Sequence, residues 1–398
     1  MDGRRGAVAV QKNWTRLNGS NGYIETAFAK AIFLAGTVLS NPAKPDFVYL
    51  DHAATTPLLP AAAEAMARGF AIWANPSSPH RAGRAARAAI EDARARIAAA
   101  LGWTGEVILT SGASEALALA LRQATVDRRI ISAVEHDAVF RAAPDAHVLP
   151  MESDQASIRA LDPAALEAAL GQPGRAIVAI QLINSETGTA FLPVSNNPEI
   201  EQIHAAGGLV LCDASQIGFG RSLPRGVDMA VISGHKIGGP IGIGALLVRD
   251  FAMLAASGGQ ERGYRQGTEN LPGALGLAAA LEAGEAPWRT TRQQRSDFRD
   301  RLRSTSDLIT AGVQCVHIFA LTSDRHSANA LLIRLDAMGF GVSAGSACSS
   351  GSLKPSRVLA GFGVDPDAAR RTIRVSLGWS TTPDELDAFA QAWEQLHA

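Results

Sequence analysis

The sequence predicts an α/β protein: a large domain with a mostly parallel sheet between helices, followed by a smaller α+β domain. Six apolar runs have the length and composition of buried strands, at residues 107–110, 130–134, 176–182, 208–212, 229–232 and 243–248. Helix-like segments lie between several of them, at residues 86–101, 114–123, 163–170 and 199–206. Strands that alternate with helices are typical of a parallel sheet that is covered on both faces.

The pattern changes near residue 273. Helical segments then dominate, at residues 274–283, 291–303, 328–338 and 383–397. Two short strand candidates lie between them, at residues 341–343 and 372–376. Such a mixture indicates the second, smaller α+β domain.

Composition excludes several classes of partner. The 398 residues suffice for two domains with large cores, and 47% of them are hydrophobic and 19% charged. A net charge of −1 gives no attraction to nucleic acid or to an anionic membrane. No apolar stretch reaches the ~20 residues that span a bilayer. We therefore expect neither nucleic acid nor a membrane as a partner.

The three cysteines, Cys212, Cys315 and Cys348, form an odd and sparse set. Such a set makes no disulfide framework and indicates a reducing compartment, so we expect a cytoplasmic protein. Their spacing matches no closed metal site, and we expect no metal. Residues 1–46 lack a clear period, although a short apolar run at 31–39 weakly resembles the centre of a signal peptide. A disordered leader, or a start site assigned too far upstream, is the favoured interpretation.

Two reactive side chains stand out. Lys236 lies in Ser233-Gly234-His235-Lys236, directly after a predicted strand, where a lysine can hold an aldehyde cofactor as a Schiff base. Cys348 lies in a run of small residues, 343–352, where a thiol is accessible and can act as a nucleophile. The alternatives are a solvated lysine and an inert loop thiol.

Two further strand ends carry candidate cofactor ligands. Residues 110–115, Thr-Ser-Gly-Ala-Ser-Glu, link a strand to a helix, and the small residues and free amides there suit a phosphate. The alternative is an ordinary helix in which Ser114 is the N-cap. Asp213 ends another strand, and a buried carboxylate there needs a partner such as a protonated ring nitrogen. Helix capping is the alternative role for Asp213.

These segments together resemble the cysteine desulfurases, pyridoxal-phosphate enzymes of the class V aminotransferase family. The resemblance covers residues from about 48 to the C-terminus and rests on Asp-x-x-Gln at 213–216, Ser-Gly-His-Lys at 233–236, the glycine-rich 238–244 and the Cys348 segment. It implies fold type I of the pyridoxal-phosphate transferases. It also implies a large domain at 61–272, a small domain at 47–60 plus 273–398, and a homodimer.

The resemblance also implies roles for individual residues. Ala113, Ser114, Ser233 and His235 would hold the cofactor phosphate, and Thr268 would reach the phosphate bound by the neighbouring subunit. His136 would stack on the ring and move protons, Asp213 would hold the ring nitrogen, and Gln216 would bind the phenolic oxygen. Arg374 would bind the substrate's α-carboxylate, which suits a planar guanidinium.

Some segments depart from the family pattern. Ser185 stands where a second asparagine usually contacts the phenolic oxygen. Either Asn184 takes over cofactor and substrate contacts, or that hydrogen bond is lost or carried by water. Residues 316–326 also look short and lack a usual Arg-Leu-Pro-Asn turn.

The function that the resemblance implies is conversion of L-cysteine to L-alanine, with a persulfide on Cys348. The sulfur would pass to an acceptor protein, either an iron–sulfur scaffold or a sulfur carrier. Alternatives are another class V aminotransferase, a selenocysteine lyase, and a non-catalytic homologue that binds partners.

Overall fold

A seven-stranded sheet forms the centre of the fold. The computed structural model describes residues 47–154, 157–159, 161–193, 195, 197–218, 222–344 and 356–397. The sheet runs in the order β2 (Glu106–Thr110), β11 (Gly244–Val248), β10 (Met229–Ser233), β9 (Leu209–Asp213), β7 (Ala176–Gln181), β3 (Arg128–Ser132) and β4 (His147–Leu149). Neighbours from β10 to β4 are parallel, whereas β11 is antiparallel to β10 and β2. The predicted mostly parallel sheet is confirmed.

Two hydrophobic layers bury the two faces of this sheet. In β7, Val178 and Ile180 enter one layer, while Ile177 and Ala179 enter the other. Every residue of β7, β9, β10 and β11 is buried. These strands are therefore apolar without alternation, since a sheet that is covered on both faces has no polar side.

Helices supply both layers: α1 (Pro60–Ala71), α2 (Arg81–Ala100), α3 (Ala113–Gln123), α4 (Asp137–Ala142), α5 (Pro163–Leu170), α6 (Pro198–Ala205) and α7 (Leu271–Ala283). α3 and α4 pack on one face, and the other five pack on the opposite face. The sequence prediction contained no helix over α1. Its buried positions are Ala62, Ala65 and Gly69, which give only a weak hydrophobic period.

A four-stranded antiparallel sheet follows in the C-terminal part. Its order is β12 (Asp307–Leu308), β14 (Ile318–Thr322), β17 (Thr372–Ser376) and β16 (Ser343–Ala344). Helices α8 (Arg292–Arg303), α9 (Ala328–Ala337) and α12 (Pro383–His397) share one core with it. β14 was not predicted. It lies in the stretch 316–326, which departs from the family pattern. All five of its residues are buried, so this stretch is a core strand.

Short elements complete the described chain. β1 (Val48–Tyr49) pairs in parallel with β15 (Phe340–Gly341), β8 (Thr189–Ala190) pairs with β13 (Val313–Gln314), and β5 (Glu152–Asp154) pairs with β6 (Ser157–Arg159). α10 (Arg357–Gly361) and α11 (Pro366–Ala369) precede β17. A single strand at 341–343 is wrong, because the chain there forms β15 and β16 in different sheets. The predicted division into domains at 47–60, 61–272 and 273–398 stays a prediction.

The described residues contain neither a membrane-spanning helix nor a group of side chains that could hold a metal ion. None of their helices combines the length and the apolar character needed to cross a bilayer. No group of three or more His, Cys, Asp or Glu side chains in that part of the chain could hold a metal ion.

Candidate active site

A cavity of about 490 Å³ opens where β9 and β10 end and α3 begins. Nine residues that the sequence analysis selected line it: Ala113, Ser114, His136, Asp213, Gln216, Ser233, His235, Lys236 and Arg374. Ligands of open parallel sheets bind outside the carboxyl ends of the strands, which is where this cavity lies. The structure thus brings most of the predicted site residues to one place.

The N-terminus of α3 forms one wall of the cavity. Its N-cap is Gly112, and no side chain caps the helix. Gly112 has φ +153° and ψ 179°, a conformation that is essentially open only to glycine. Ser114 lies inside the helix, so the alternative in which Ser114 is the N-cap is wrong. The first amides of a helix lack intrahelical partners and favour an anion, which suits a phosphate.

The turn after β10 forms the adjacent wall. Ser233 ends β10, and Gly234–Lys236 forms one turn of 3-10 helix. The buried Ser233 Oγ has no hydrogen-bond partner, which costs about 1–3 kcal/mol unless a ligand supplies one. His235 Nδ1 lies 3.3 Å from Thr55 Oγ1, and burial and the charge of Lys236 lower the pKa of His235. We therefore expect His235 to be neutral at pH 7.

Asp213 lies at the end of β9, opposite Gln181 of β7. Its Oδ1 accepts hydrogen bonds from Ser215 N at 2.9 Å and from Ser215 Oγ. No helix begins in residues 214–218, so helix capping is not the role of Asp213. A carboxylate at this buried position gains from a cationic ligand atom, because burial of an uncompensated charge is costly.

A second carboxyl group, that of Glu135, lies behind the cavity and was not predicted. Its side chain is fully buried, and Oε1 accepts a hydrogen bond from Gln181 N at 2.9 Å. Burial and the charge of Asp213 raise the pKa of Glu135 well above its usual range. Burial therefore favours the protonated, neutral form of Glu135. The sequence signal was an acidic residue directly after a buried strand.

His136 is held in a defined tautomer. It is the N-cap of α4, and its Nδ1 accepts a hydrogen bond from Ala138 N at 3.1 Å. Burial and the charge of Lys236 lower the pKa of His136, which favours the neutral ring. Since Nδ1 is an acceptor, the proton of the neutral ring is assigned to Nε2.

Arg374 of β17 reaches the cavity from the small sheet. It donates to Asp51 Oδ1 at 2.8 Å and to the backbone oxygen of Ser185 at 3.0 Å. Its side chain is only 5% exposed, so these two contacts fix the guanidinium plane. Asp51 was not selected from the sequence, and the 323 residues between the two partners explain why.

Two predicted residues that the structure describes, Asn184 and Thr268, do not line this cavity. Asn184 is buried and its amide is used locally: Oδ1 accepts from Glu186 N and Thr187 N, and Nδ2 donates to Gln181 Oε1. Ser185 lines the cavity instead. The structure therefore does not support Asn184 as a cofactor or substrate ligand, and its role is to hold the turn. Thr268 is exposed and lies outside the cavity of its own chain. Cys348 lies outside the described residues.

Glu186 is a further acidic group that the sequence analysis did not select. Its Oε2 accepts a hydrogen bond from Ser356 Oγ at 2.6 Å. Burial raises the pKa of Glu186 from 4.5 to about 7, although Ser356, Arg374 and Arg357 oppose the shift. Its ionisation therefore falls in the physiological pH range.

The raised pKa of Glu186 predicts a pH-dependent term in stability. The native state binds the proton of Glu186 more tightly than the unfolded state does. The contribution of Glu186 to the free energy of unfolding is therefore fully present below pH ~4.5 and is lost as pH rises through ~7. Glu186→Gln should remove the term, which is at most about 3 kcal/mol and is reduced by solvent screening. Urea unfolding of both proteins at pH 5 and pH 8 measures it. Equal pH dependence in the two proteins would contradict the shifted pKa.

The cavity residues fit an aldehyde cofactor that carries a phosphate. The uncapped N-terminus of α3 and the unpartnered Ser233 Oγ offer donors for a phosphate. Lys236 supplies the amine, and it is the only lysine among the described residues. Asp213 supplies an acceptor for a protonated ring nitrogen.

Comparisons with known proteins agree with this geometry. The sequence profile of the family described as "Aminotransferase class-V" matches residues 48–389. An "IscS-like cysteine desulfurase" from Mycobacterium tuberculosis is 36% identical, and the match covers 85% of this chain and 93% of that protein. A "Cysteine desulfurase" from Cereibacter sphaeroides is also 36% identical, and the match covers 85% of this chain and 93% of that protein.

Solved structures give the same result. The NifS-like protein from Rickettsia africae matches with a TM-score of 0.76 and 28% identity, over 88% of this chain and 99% of its own. The structure described as "SspA in complex with cysteine" matches with a TM-score of 0.70 and 28% identity, over 83% of this chain and 98% of its own. The fold is fold type I of the pyridoxal-phosphate transferases. This chain therefore belongs to the cysteine desulfurases, pyridoxal-phosphate enzymes of the class V aminotransferase family.

Proposed function

We propose that this enzyme converts L-cysteine to L-alanine and transfers the sulfur to Cys348. The observation that carries the proposal is the single cavity that joins Lys236, Asp213 and His136 to Arg374. The first three residues suit a pyridoxal cofactor, and Arg374 suits the carboxylate of an amino acid. The relative described as bound to cysteine supports this choice of amino acid.

Residues that line this cavity would hold pyridoxal phosphate. The amides of Ala113 and Ser114 and the Ser233 hydroxyl would bind its phosphate, together with His235. Lys236 would bind its aldehyde carbon, and Asp213 would accept the proton of its ring nitrogen. When bound, the cofactor supplies an electron sink that stabilises negative charge on the substrate carbons.

The protein's own side chains would then move protons and position the substrate. Neutral His136 has its acceptor nitrogen occupied by Ala138 N, so Nε2 is the atom that carries the proton. Arg374 would hold the α-carboxylate while Asp51 and Ser185 hold Arg374. The buried position of these groups strengthens each contact by excluding water.

Sulfur transfer needs a nucleophile, and Cys348 is the candidate. Cys212 and Cys315 are both fully buried, and burial raises the pKa of the Cys212 thiol well above its usual range. In the proposed step the Cys348 thiolate forms an S–S bond with the substrate sulfur. The substrate's Cβ–S bond breaks, its electron pair stays on carbon, and protonation gives alanine. No external oxidant or reductant is needed.

The assembly and the acceptor are also proposals. Exposed Thr268 lies away from its own cavity, as a residue that serves the neighbouring subunit must, so we propose a homodimer with composite sites. The persulfide on Cys348 would pass to a sulfur-acceptor protein, an iron–sulfur scaffold or a sulfur carrier. The sparse cysteines support a cytoplasmic location.

Alanine release tests the proposal. The purified enzyme with pyridoxal phosphate should be yellow and should form alanine from L-cysteine, with one sulfur released per alanine when a reductant is present. Serine serves as the control substrate, because it offers the same carboxylate and amine but no sulfur. A yellow protein that transaminates cysteine to a keto acid, and forms no alanine, would contradict the desulfurase assignment.

A further inference from the structure

The hydroxyl of Ser356 links helix α10 to the turn that follows β7. Ser356 is the N-cap of α10, and its Oγ accepts a hydrogen bond from Leu359 N at 3.0 Å. The same Oγ donates to Glu186 Oε2 at 2.6 Å. Glu186 directly follows Ser185, which lines the cavity and accepts from Arg374. The start of α10 is thereby tied to the cavity wall.

Arg357 ties the same helix start to the turn that follows β3. Its guanidinium donates to Ala133 O at 2.6 Å, to Glu135 O at 2.8 Å and to Asp137 Oδ1 at 2.8 Å. The guanidinium also lies 3.6 Å from the centre of the Phe140 ring. The pKa of Asp137 is lowered, first by the hydrogen bond from Arg357. This turn carries His136, a second cavity residue.

Close packing fixes the far end of α10. A Cβ atom added at Gly361 would lie 2.7 Å from Val134 Cγ1, so only glycine allows this approach. Val358 and Leu359 are buried between the two ends. The helix is therefore held at both ends by the turn around residues 133–137.

We propose that Glu186, Ser356 and Arg357 form a clasp. The clasp fixes the position of Ser356, at the C-terminal end of the segment that carries Cys348. Ser356 follows Cys348 by eight residues in the sequence, and a fully extended chain of that length spans at most about 28 Å. The clasp fixes where that tether starts, next to His136 and Ser185. This inference rests on the proposed function of Cys348.

Loss of the clasp is expected to lower turnover and to leave substrate and cofactor binding unchanged. A tethered nucleophile reacts at an effective concentration that depends on where its tether begins. None of the three clasp residues lines the cavity, so substrate and cofactor contacts remain when the clasp is broken. Glu186, Ser356 and Arg357 are positioning residues.

Ser356→Ala is the primary test, because it removes the hydrogen bond to Glu186 and leaves the carboxyl group of Glu186 in place. We expect kcat for alanine formation to fall about 10- to 100-fold, with KM for cysteine within about twofold. The change in cofactor absorbance when cysteine binds should be unaltered. Glu186→Gln should retain at least half of the wild-type kcat, since its amide oxygen still accepts from Ser356, and Glu186→Ala should not.

Ser327→Ala is the matched control. Ser327 caps α9 in the same way, through a hydrogen bond from Ala330 N, and has no contact with Glu186 among the bonds of the described residues. Loss of a helix cap alone should leave kcat unchanged. The clasp proposal is overturned if Ser356→Ala and Ser327→Ala have the same kcat. It is also overturned if Ser356→Ala weakens cofactor binding, or raises KM for cysteine, by the same factor by which it lowers kcat. Absence of alanine from the wild type would instead reject the proposed function.

Discussion

Lys236→Ala is expected to abolish covalent cofactor attachment and to reduce alanine formation by about 10³-fold or more. The amine is both the attachment point and a group able to move protons, and acid–base catalysis alone typically contributes 10²–10⁴-fold. The phosphate donors at α3 and Ser233 remain in the variant. Weak, non-covalent binding of pyridoxal phosphate should therefore survive.

Borohydride reduction followed by peptide mapping measures this directly. The chain has five lysines, Lys12, Lys30, Lys44, Lys236 and Lys354, so each candidate lies in a separate, identifiable peptide. Reduction of the wild type should fix the cofactor on Lys236, and the alanine variant should carry none. Lys30→Ala is the control and should label as the wild type does. Label on any other lysine would refute the assignment.

Cys348→Ser should bind pyridoxal phosphate and cysteine normally and yet lose alanine formation by about 10³-fold or more. The cofactor groups at Lys236, Asp213 and His136 need no thiol. A serine hydroxyl is a poor acceptor for sulfur, and its proton is far harder to remove than that of a thiol, whose pKa is ~8.5.

The matched control for this variant is Cys315→Ala. Cys315 is fully buried beside β14, and its sulfur lies 3.9 Å from Ile318 O. Its removal should leave alanine formation near the wild-type rate. Wild-type turnover in Cys348→Ser would show that sulfur leaves without this nucleophile. An aminotransferase or lyase reaction would then replace the proposed mechanism.

The features that the sequence predicted are those that depend on local residue patterns. The strands β7, β9 and β10 are apolar because both faces of the sheet are buried, and the reactive residues follow them directly. Placement of Asp213 and Lys236 at one edge was therefore predictable. β14 was overlooked because the stretch 316–326 was interpreted only as a departure from the family pattern. α1 was overlooked because small residues supply its buried face.

Contacts between distant residues were not predictable. Asp51 and Arg374 are 323 residues apart, and Glu186 and Ser356 are 170 apart, so no sequence period connects them. Asn184 shows the opposite error. The motif suggested a ligand, but in the structure its amide bonds to its own turn, to Gln181 and to Val134 O.

Mass spectrometry of the cysteine peptides after one turnover tests the central claim most directly. The wild-type enzyme is incubated with L-cysteine, freed of excess substrate and digested without reductant. The account predicts one additional sulfur atom on the peptide that contains Cys348, removable by reductant and equal in amount to the alanine formed. Additional sulfur on the Cys212 or Cys315 peptide, or alanine formed with no sulfur on Cys348, would contradict the account.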